Sequence, residues 1–488
     1  MAEGGPQARR LRDAPLFRDA AGLLHRNRLP AIVLLAAALL VSGALLGYEL
    51  LKRPGDVHNE AVPFKPEKPK PTKPLRAKTV NWPMFGYDRA RTRYLPVQGI
   101  KPPFRKLWRF TDRPLLEFPP ISVNGHLYFV NNSGWAYALE AKTGKTIWKR
   151  RVGRLNASSP VYSKHRLYIV NLVPGHIVKL DAETGKIVWK KELPGRAESS
   201  PLVIGRTVYF GCEDGNLYAL STISGNVRWA TALGGPVKSA PAFYHGTLYV
   251  GDYGGYMNAV DAKSGKLKWQ SGSLGPGFGG SGAFYSTPAV AFGRVYAGNN
   301  DSRVYSYDAK DGTLAWSYST GGYAYSGPTV ATTKHSPPTV YIGSFDGNVY
   351  ALDAKDGSLR WSRSAGGQVV GSLSAIGDIV YVAEFTNKTT TGFMMRSGRR
   401  VFHYPKGTYT PVISDGQRIY LTGYSSITAL EPFKPGAKKK PGAKKKQGKG
   451  EGKQPAKGRA SRSRPAGAAV GEARPARSSG RVPSAGGP

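Results

Sequence analysis

Between residues 105 and 433 apolar and polar positions alternate in short runs, and no segment offers a 3.6-residue apolar stripe. The stretch 201–235, PLVIGRTVYFGCEDGNLYALSTISGNVRWATALGG, contains four such runs separated by Gly-Arg, Glu-Asp-Gly-Asn and Ser-Gly-Asn, which predicts four strands joined by tight hairpins. The unit recurs: Trp108, Trp148, Trp189, Trp229, Trp269, Trp316 and Trp361 are 40, 41, 40, 40, 47 and 45 residues apart, and Phe402 continues the series 41 later. Self-similarity at this period, with four short strands per unit, predicts a β-propeller. Complete units fall near 119–153, 160–195, 201–235, 241–274, 288–322, 328–367 and 371–405, and after Pro411 only three strands remain. The missing outer strand lies at the other end of the domain, Arg105-Lys106-Leu107-Trp108-Arg109-Phe110. The expected fold is therefore all-β, an eight-bladed propeller closed by an N-terminal outer strand.

The third hairpin of each unit is the most regular, as in KLDAETGKIVW at 179–189, AVDAKSGKLKW at 259–269 and ALDAKDGSLRW at 351–361. An Asp four residues before a Gly suits a turn with a side-chain acceptor at its start and a positive φ near its end. Four residues later the indole falls on the outer strand, where it can cover the join to the next blade, so these tryptophans are read as structural docking residues. The motif resembles that of quinoprotein-type, PQQ-like propellers. The segment Asn81-Trp82-Pro83-Met84-Phe85-Gly86-Tyr87-Asp88, followed by Arg91-Thr92-Arg93-Tyr94, is similar to the lead-in before the first blade of such proteins. The resemblance spans roughly residues 80–431. It extends to pyrroloquinoline-quinone dehydrogenases, to the scaffold lipoprotein of the outer-membrane β-barrel assembly machine, and to propellers attached to membranes or kinases, so it implies the fold and leaves the function open.

Outside the repeat, residues 31–48 form an apolar run interrupted only by Ser42. This predicts an uncleaved transmembrane signal-anchor helix over 29–51. A basic cytoplasmic N-terminus (1–28) would precede it, and a Lys/Pro-rich spacer (52–80), extended like polyproline II, would follow it and hold the propeller (81–433) outside a cell membrane. Residues 434–488 hold 16 Lys/Arg against Glu451 and Glu472 and predict a disordered basic tail suited to an anionic polymer or phospholipid headgroups. The formal net charge is +39, and the repeat region is itself basic, with 36 Lys/Arg against 21 Asp/Glu in 105–433. Cys212 stands alone, so no intramolecular disulfide forms; it is read as a small buried hydrophobe.

Candidate chemistry concentrates in the loops that lead from each outer strand to the next inner one. NASSP, AESSP, VKSAP, FYSTP and AYSGP place Ser158, Ser199, Ser239, Ser286 and Ser326 two residues before a proline, either as a partial hydroxyl ring or as turn caps. Residues that differ between blades discriminate better: Arg196, Glu198, Lys238, Phe284, Tyr285, Tyr323, Tyr325 and Tyr409 form the candidate binding face, together with the glycine-rich loop 273–280. A dehydrogenase like those in the family would need a cation held by carboxylate and amide oxygens, an Asp base and, commonly, adjacent cysteines. The chain has one Cys, and its recurrent aspartates serve turns. No cofactor, metal or specific nucleic acid is expected. The expected role is a non-catalytic scaffold that binds an envelope protein or a cell-wall polymer, with a quinone-dependent dehydrogenase or a ligand sensor as the alternatives.

Overall fold

The computed structural model describes residues 28–52, 55–66, 79–275 and 282–433. Eight sheets form the ring, each built on four antiparallel strands; two gain a fifth, Val57–His58 in the fifth blade and Tyr94–Leu95, which pairs parallel with Ser374–Ile376, in the seventh. The third blade is representative, with strands Leu202–Ile204, Thr207–Gly211, Asn216–Ser221 and Val227–Ala232 running from the axis outward. Its second strand is buried throughout, while its outermost strand is largely exposed, so the core lies between blades. The eighth blade is composite: Phe104–Thr111 pairs antiparallel with Ser426–Pro432 and supplies the outer strand, closing the ring.

Each indole locks a blade to its successor. Six of the docking tryptophans, Trp108, Trp148, Trp189, Trp269, Trp316 and Trp361, donate an indole N–H to a backbone carbonyl in the next blade's turn, at 2.9 to 3.4 Å. The ring face covers the turn glycine so closely that a Cβ on Gly185, whose φ is +67°, would lie 2.7 Å from Trp148; Trp229 covers Gly265 in the same way. The join between blades seven and eight uses Phe402 because the eighth blade's outer strand enters from elsewhere in the chain, leaving no hairpin turn to receive an indole. Phe402 instead meets Phe104 edge-on, with centroids 5.4 Å apart.

The N-terminal elements depart from expectation. A helix spans Arg28–Lys52, but no helix among the described residues is long and apolar enough to cross a membrane. The expected transmembrane anchor, and with it single-pass placement in a cell membrane, is therefore corrected.

Residues 55–66 do not hang free as a spacer. Val57–His58 adds a fifth strand to the fifth blade, pairing with Ser317 and Trp316. Asp56 meets Arg303 at 3.2 Å, Arg294 donates to the carbonyls of Val62 (2.6 Å) and Pro63 (2.9 Å), and Phe64 packs on Phe292. Trp316 is consequently fully buried, whereas Trp148 and Trp189 remain partly exposed. The rest of the Lys/Pro segment (67–78), the start of the chain (1–27) and the basic tail (434–488) lie outside the described residues.

Candidate functional site

One end of the axial channel is closed by the lead-in. Residues 80–93 accept hydrogen bonds from the innermost strands of six blades: Ser122, Tyr162, Phe243, Val290, Val330 and Ala375 donate their N–H groups to the carbonyls of Trp82, Pro83, Arg89, Ala90, Thr92 and Arg93, at 2.7 to 3.0 Å. Each donor is the second residue of its strand. Val80 in turn donates to Asp415 in the eighth blade.

Two wholly buried guanidinium groups complete the floor. Arg91 donates to the carbonyls of Phe85, Ser200 (3.1 Å), Pro201 (3.2 Å) and Pro241 (3.0 Å). Arg93 donates to those of Arg91 (2.7 Å), Pro328 (2.8 Å) and Thr287 (3.1 Å). Burial lowers both to about 9, Asp88 opposing that shift.

Above this floor opens a narrow funnel with about 80 Å³ of water-accessible space and Phe85 at its base. Its wall follows a single rule. The residue four positions before each innermost strand is, in blade order, Glu117, Ala157, Glu198, Lys238, Tyr285, Tyr325, Val370 and Tyr409. All but Ala157 line the funnel. Two positions closer to the strand, Pro119, Ser200, Ala240, Thr287, Ser372 and Pro411 line its neck. At the equivalent Gly327, a Cβ would lie 2.4 Å from the Arg93 Nη2. Of the intervening positions Phe118, Gly371 and Thr410 also border the funnel, while the others point the other way, as extended backbone requires.

This parity sorts the candidates. Glu198, Lys238, Tyr285, Tyr325 and Tyr409 line the funnel. Arg196 and Tyr323, two residues further out, are exposed near the rim; Arg196 lies 3.7 Å from Glu213, and Tyr323 lies 5.6 Å from Tyr325. Phe284 has the opposite parity. It is fully buried against Tyr305 and Tyr307, so it belongs to the core and not to the binding face. The serines also face away from the axis: the Ser199 and Ser286 hydroxyls donate to the next blade's Ser239 and Ser326 carbonyls, at 2.8 and 3.0 Å, so no hydroxyl ring faces the channel. Of the glycine-rich loop, residues 276–281 lie outside the described set. Cys212 is buried, its Sγ donating to the Arg196 carbonyl, and burial raises its thiol to about 12.

The wall is electrostatically uneven. Lys238 Nζ lies 3.3 Å from Glu198, 3.6 Å from Glu213 and 5.2 Å from the centre of the Tyr253 ring. Glu117 accepts a hydrogen bond from Asn132 Nδ2 at 3.2 Å. Burial, reinforced by the charge of Glu198, pushes its carboxyl up to about 7. Burial also raises Glu198, against the opposing pull of Lys238, and raises Tyr285 far above the usual phenol range. Tyr285 contacts Tyr253 and Tyr325, with centroids 6.2 and 5.6 Å apart, and Tyr409 packs on Phe385 at 4.9 Å. Sequence reasoning missed Glu117, Phe85 and Tyr253; counting back four residues from each inner strand would have found Glu117.

A search of curated proteins finds no match. Among solved structures, BamB from Moraxella catarrhalis is 18% identical, covering 69% of this chain and all of that one, with a TM-score of 0.57. A quinohemoprotein alcohol dehydrogenase from Comamonas testosteroni is 14% identical over 72% of this chain and 80% of that one, with a TM-score of 0.60. A europium-containing methanol dehydrogenase is 12% identical over 73% and 98%, with a TM-score of 0.61. These likenesses establish the fold alone. The sequence profile described as outer membrane protein assembly factor BamB matches residues 105–241 and 233–433, which together span the repeat region, and the chain belongs to that family.

Proposed function

We propose that the propeller is a non-catalytic platform that holds a partner protein of the cell envelope at the funnel mouth. The observation that supports this most directly is the wall itself: one repeat position carries carboxylates, an ammonium and tyrosines around a blind floor, and aromatic groups continue up to the exposed rim at Tyr323. Aromatic bodies with a few charges are the composition of protein-recognition surfaces. Family membership points the same way.

The donor set does not fit a cation-assisted quinone. The ammonium of Lys238 stands between Glu198 and Glu213, where a metal would have to displace it. Among the described residues, no group of three or more His, Cys, Asp or Glu side chains could hold a metal ion.

The reading is tested by placing a photo-cross-linking side chain at Tyr323 or Tyr409 in cells, with Ile187 on an exposed blade edge as the control. A discrete adduct from the two mouth positions but not from the edge is expected. Equal labelling from all three would overturn it, as would dye reduction by the purified chain loaded with pyrroloquinoline quinone and calcium in the presence of an alcohol.

A further inference from the structure

We infer that the outer edge of the first blade binds a linear polyanion, a chain that carries phosphates along its own backbone. This goes beyond the platform reading, because it concerns a blade edge and not the funnel. Residues 141–154 hold six cations, Lys142, Lys145, Lys149, Arg150, Arg151 and Arg154, and no Asp or Glu. All six are exposed, and none is in ion-pair contact among the described residues. The next blade shows the ordinary arrangement: its equivalent stretch, 182–195, includes Glu183 and Glu192, which meet His165 at 3.5 Å and Lys190 at 2.7 Å. Further round the ring Lys268 and Arg360 meet Asp261 and Asp353, the acids that open their turns. In the first blade that acid is Glu140, and it accepts a hydrogen bond from Thr143 instead.

Groups other than acids hold these cations in place, which is a second and independent observation. Lys149 and Arg151 share one side of the outer strand Thr146–Arg151, about 7 Å apart along it. Lys149 Nζ lies 4.6 Å from the centre of the Trp135 ring and 5.1 Å from that of Tyr137, and the Arg151 guanidinium lies 5.3 Å from Trp135. Trp135 stands outside the docking series, and these are the contacts it makes. Arg150 and Arg151 donate Nε–H to the carbonyls of Gly185 (3.0 Å) and Gly153 (2.6 Å), and their terminal nitrogens have no acceptor among the described residues. Ring faces and carbonyls orient a cation without cancelling its charge, whereas a carboxylate does both. Asp112 feels Lys149, but it is already bonded by Tyr137 and Asn131, each at 2.7 Å, and forms no ion pair.

The edge itself selects the occupant. Exposed lysines and arginines along an outer strand bar the addition of another polypeptide strand, so a ligand meets the side-chain heads and not the backbone ladder. A row of oriented cations is answered best by a chain whose charges lie in its own backbone, where several phosphates are met at once and their counterions released. An acidic polypeptide carries its charges on side chains that must each be ordered, which costs entropy at every contact.

The test is lysine acetylation of the full chain with and without inorganic polyphosphate, read peptide by peptide by mass spectrometry, so that capture by the lysines of 434–488 is scored separately. Lys263 and Lys266 are the controls: they are exposed and occupy the positions of Lys142 and Lys145 in the fourth blade. Lys145 and Lys149 are expected to be protected at least about fivefold more than these controls, and the protection to fade steeply as salt is raised. Arg150→Gln, Arg151→Gln and Arg154→Gln together, all at exposed positions, are expected to bring Lys149 down to the level of the controls. Trp135→Leu, which keeps every charge, is expected to weaken the protection about threefold. Equal protection of the two blades would overturn the inference, as would full protection of Lys149 in the triple variant. Polyglutamate that protects Lys149 as well as polyphosphate does, at equal charge, would overturn the phosphate chain in favour of an acidic polypeptide. None of these substitutions lies in the funnel, so the mouth adduct that tests the platform reading is expected unchanged, and either reading can fail without the other.

Discussion

The two ends of the axial channel put charge to opposite uses. At the floor, Arg91 and Arg93 are wholly buried and surrounded by carbonyl oxygens that the ring presents at equivalent positions, so the cations serve as fasteners between blades. At the mouth, Glu117, Glu198 and Lys238 stand at one repeat position with no such symmetry, and their partners are side chains or solvent. Equivalent backbone groups reward a structural plug that touches every blade. A ring of unlike side chains answers to no such symmetry.

The sharpest way to break this contrast is at the floor. Arg93→Ala removes the donor to three carbonyls and leaves a void beneath the neck, and is expected to cost about 3 to 5 kcal/mol, read as a lowered urea midpoint with the slope retained. Gly327→Ala drives a methyl toward the same guanidinium and should cost about 1 to 3 kcal/mol in the same measurement.

At the mouth the sign reverses. The Glu117 carboxyl is raised to about 7 in the folded state, against about 4.3 in an unfolded chain, so the folded protein holds the extra proton between those values. Wild-type stability should fall as pH rises from about 4.5 to about 7, and E117Q should be more stable than wild type at pH 8 by about 1 to 3 kcal/mol while matching it near pH 4. A variant that is less stable at both pH values would place Glu117 with the fasteners. The smallest effect is expected at the rim: Tyr323→Ala should change stability by less than about 0.5 kcal/mol while reducing partner cross-linking.

The ring was readable because each blade repeats its own local grammar. Trp148, Gly185 and their equivalents sit at fixed offsets, and even the closing strand at Trp108 announces itself by its indole. The wall was half readable. Glu198, Lys238, Tyr285 and Tyr325 precede prolines in loops of one pattern, whereas Glu117 in Glu117-Phe118-Pro119-Pro120 and Val370 in Val370-Gly371-Ser372-Leu373 lack the serine that marks the others. Phe284 was misassigned by a single step of strand alternation, which turns a mouth residue into a core residue. The floor could not be read, because five of the seven bonds of Arg91 and Arg93 reach carbonyls 109 to 235 positions away and leave no local pattern. The strap of residues 55–66 was hidden for another reason: its prolines and lysines argue for repulsion and extension, while Asp56 and the buried Arg303 decide otherwise.

Closure of the eighth blade imposes a timetable on biosynthesis. The strand Phe104–Thr111 leaves the ribosome early, and its partner Ser426–Pro432 follows about 15 to 60 s later at roughly 5 to 20 residues per second. Throughout that interval the lead-in has only part of its ring of donors and the nascent sheet has two raw edges. The last residues of the repeat therefore act as a latch, and a transcript truncated just before Ser426 yields a horseshoe open to aggregation, however perfect its first seven blades.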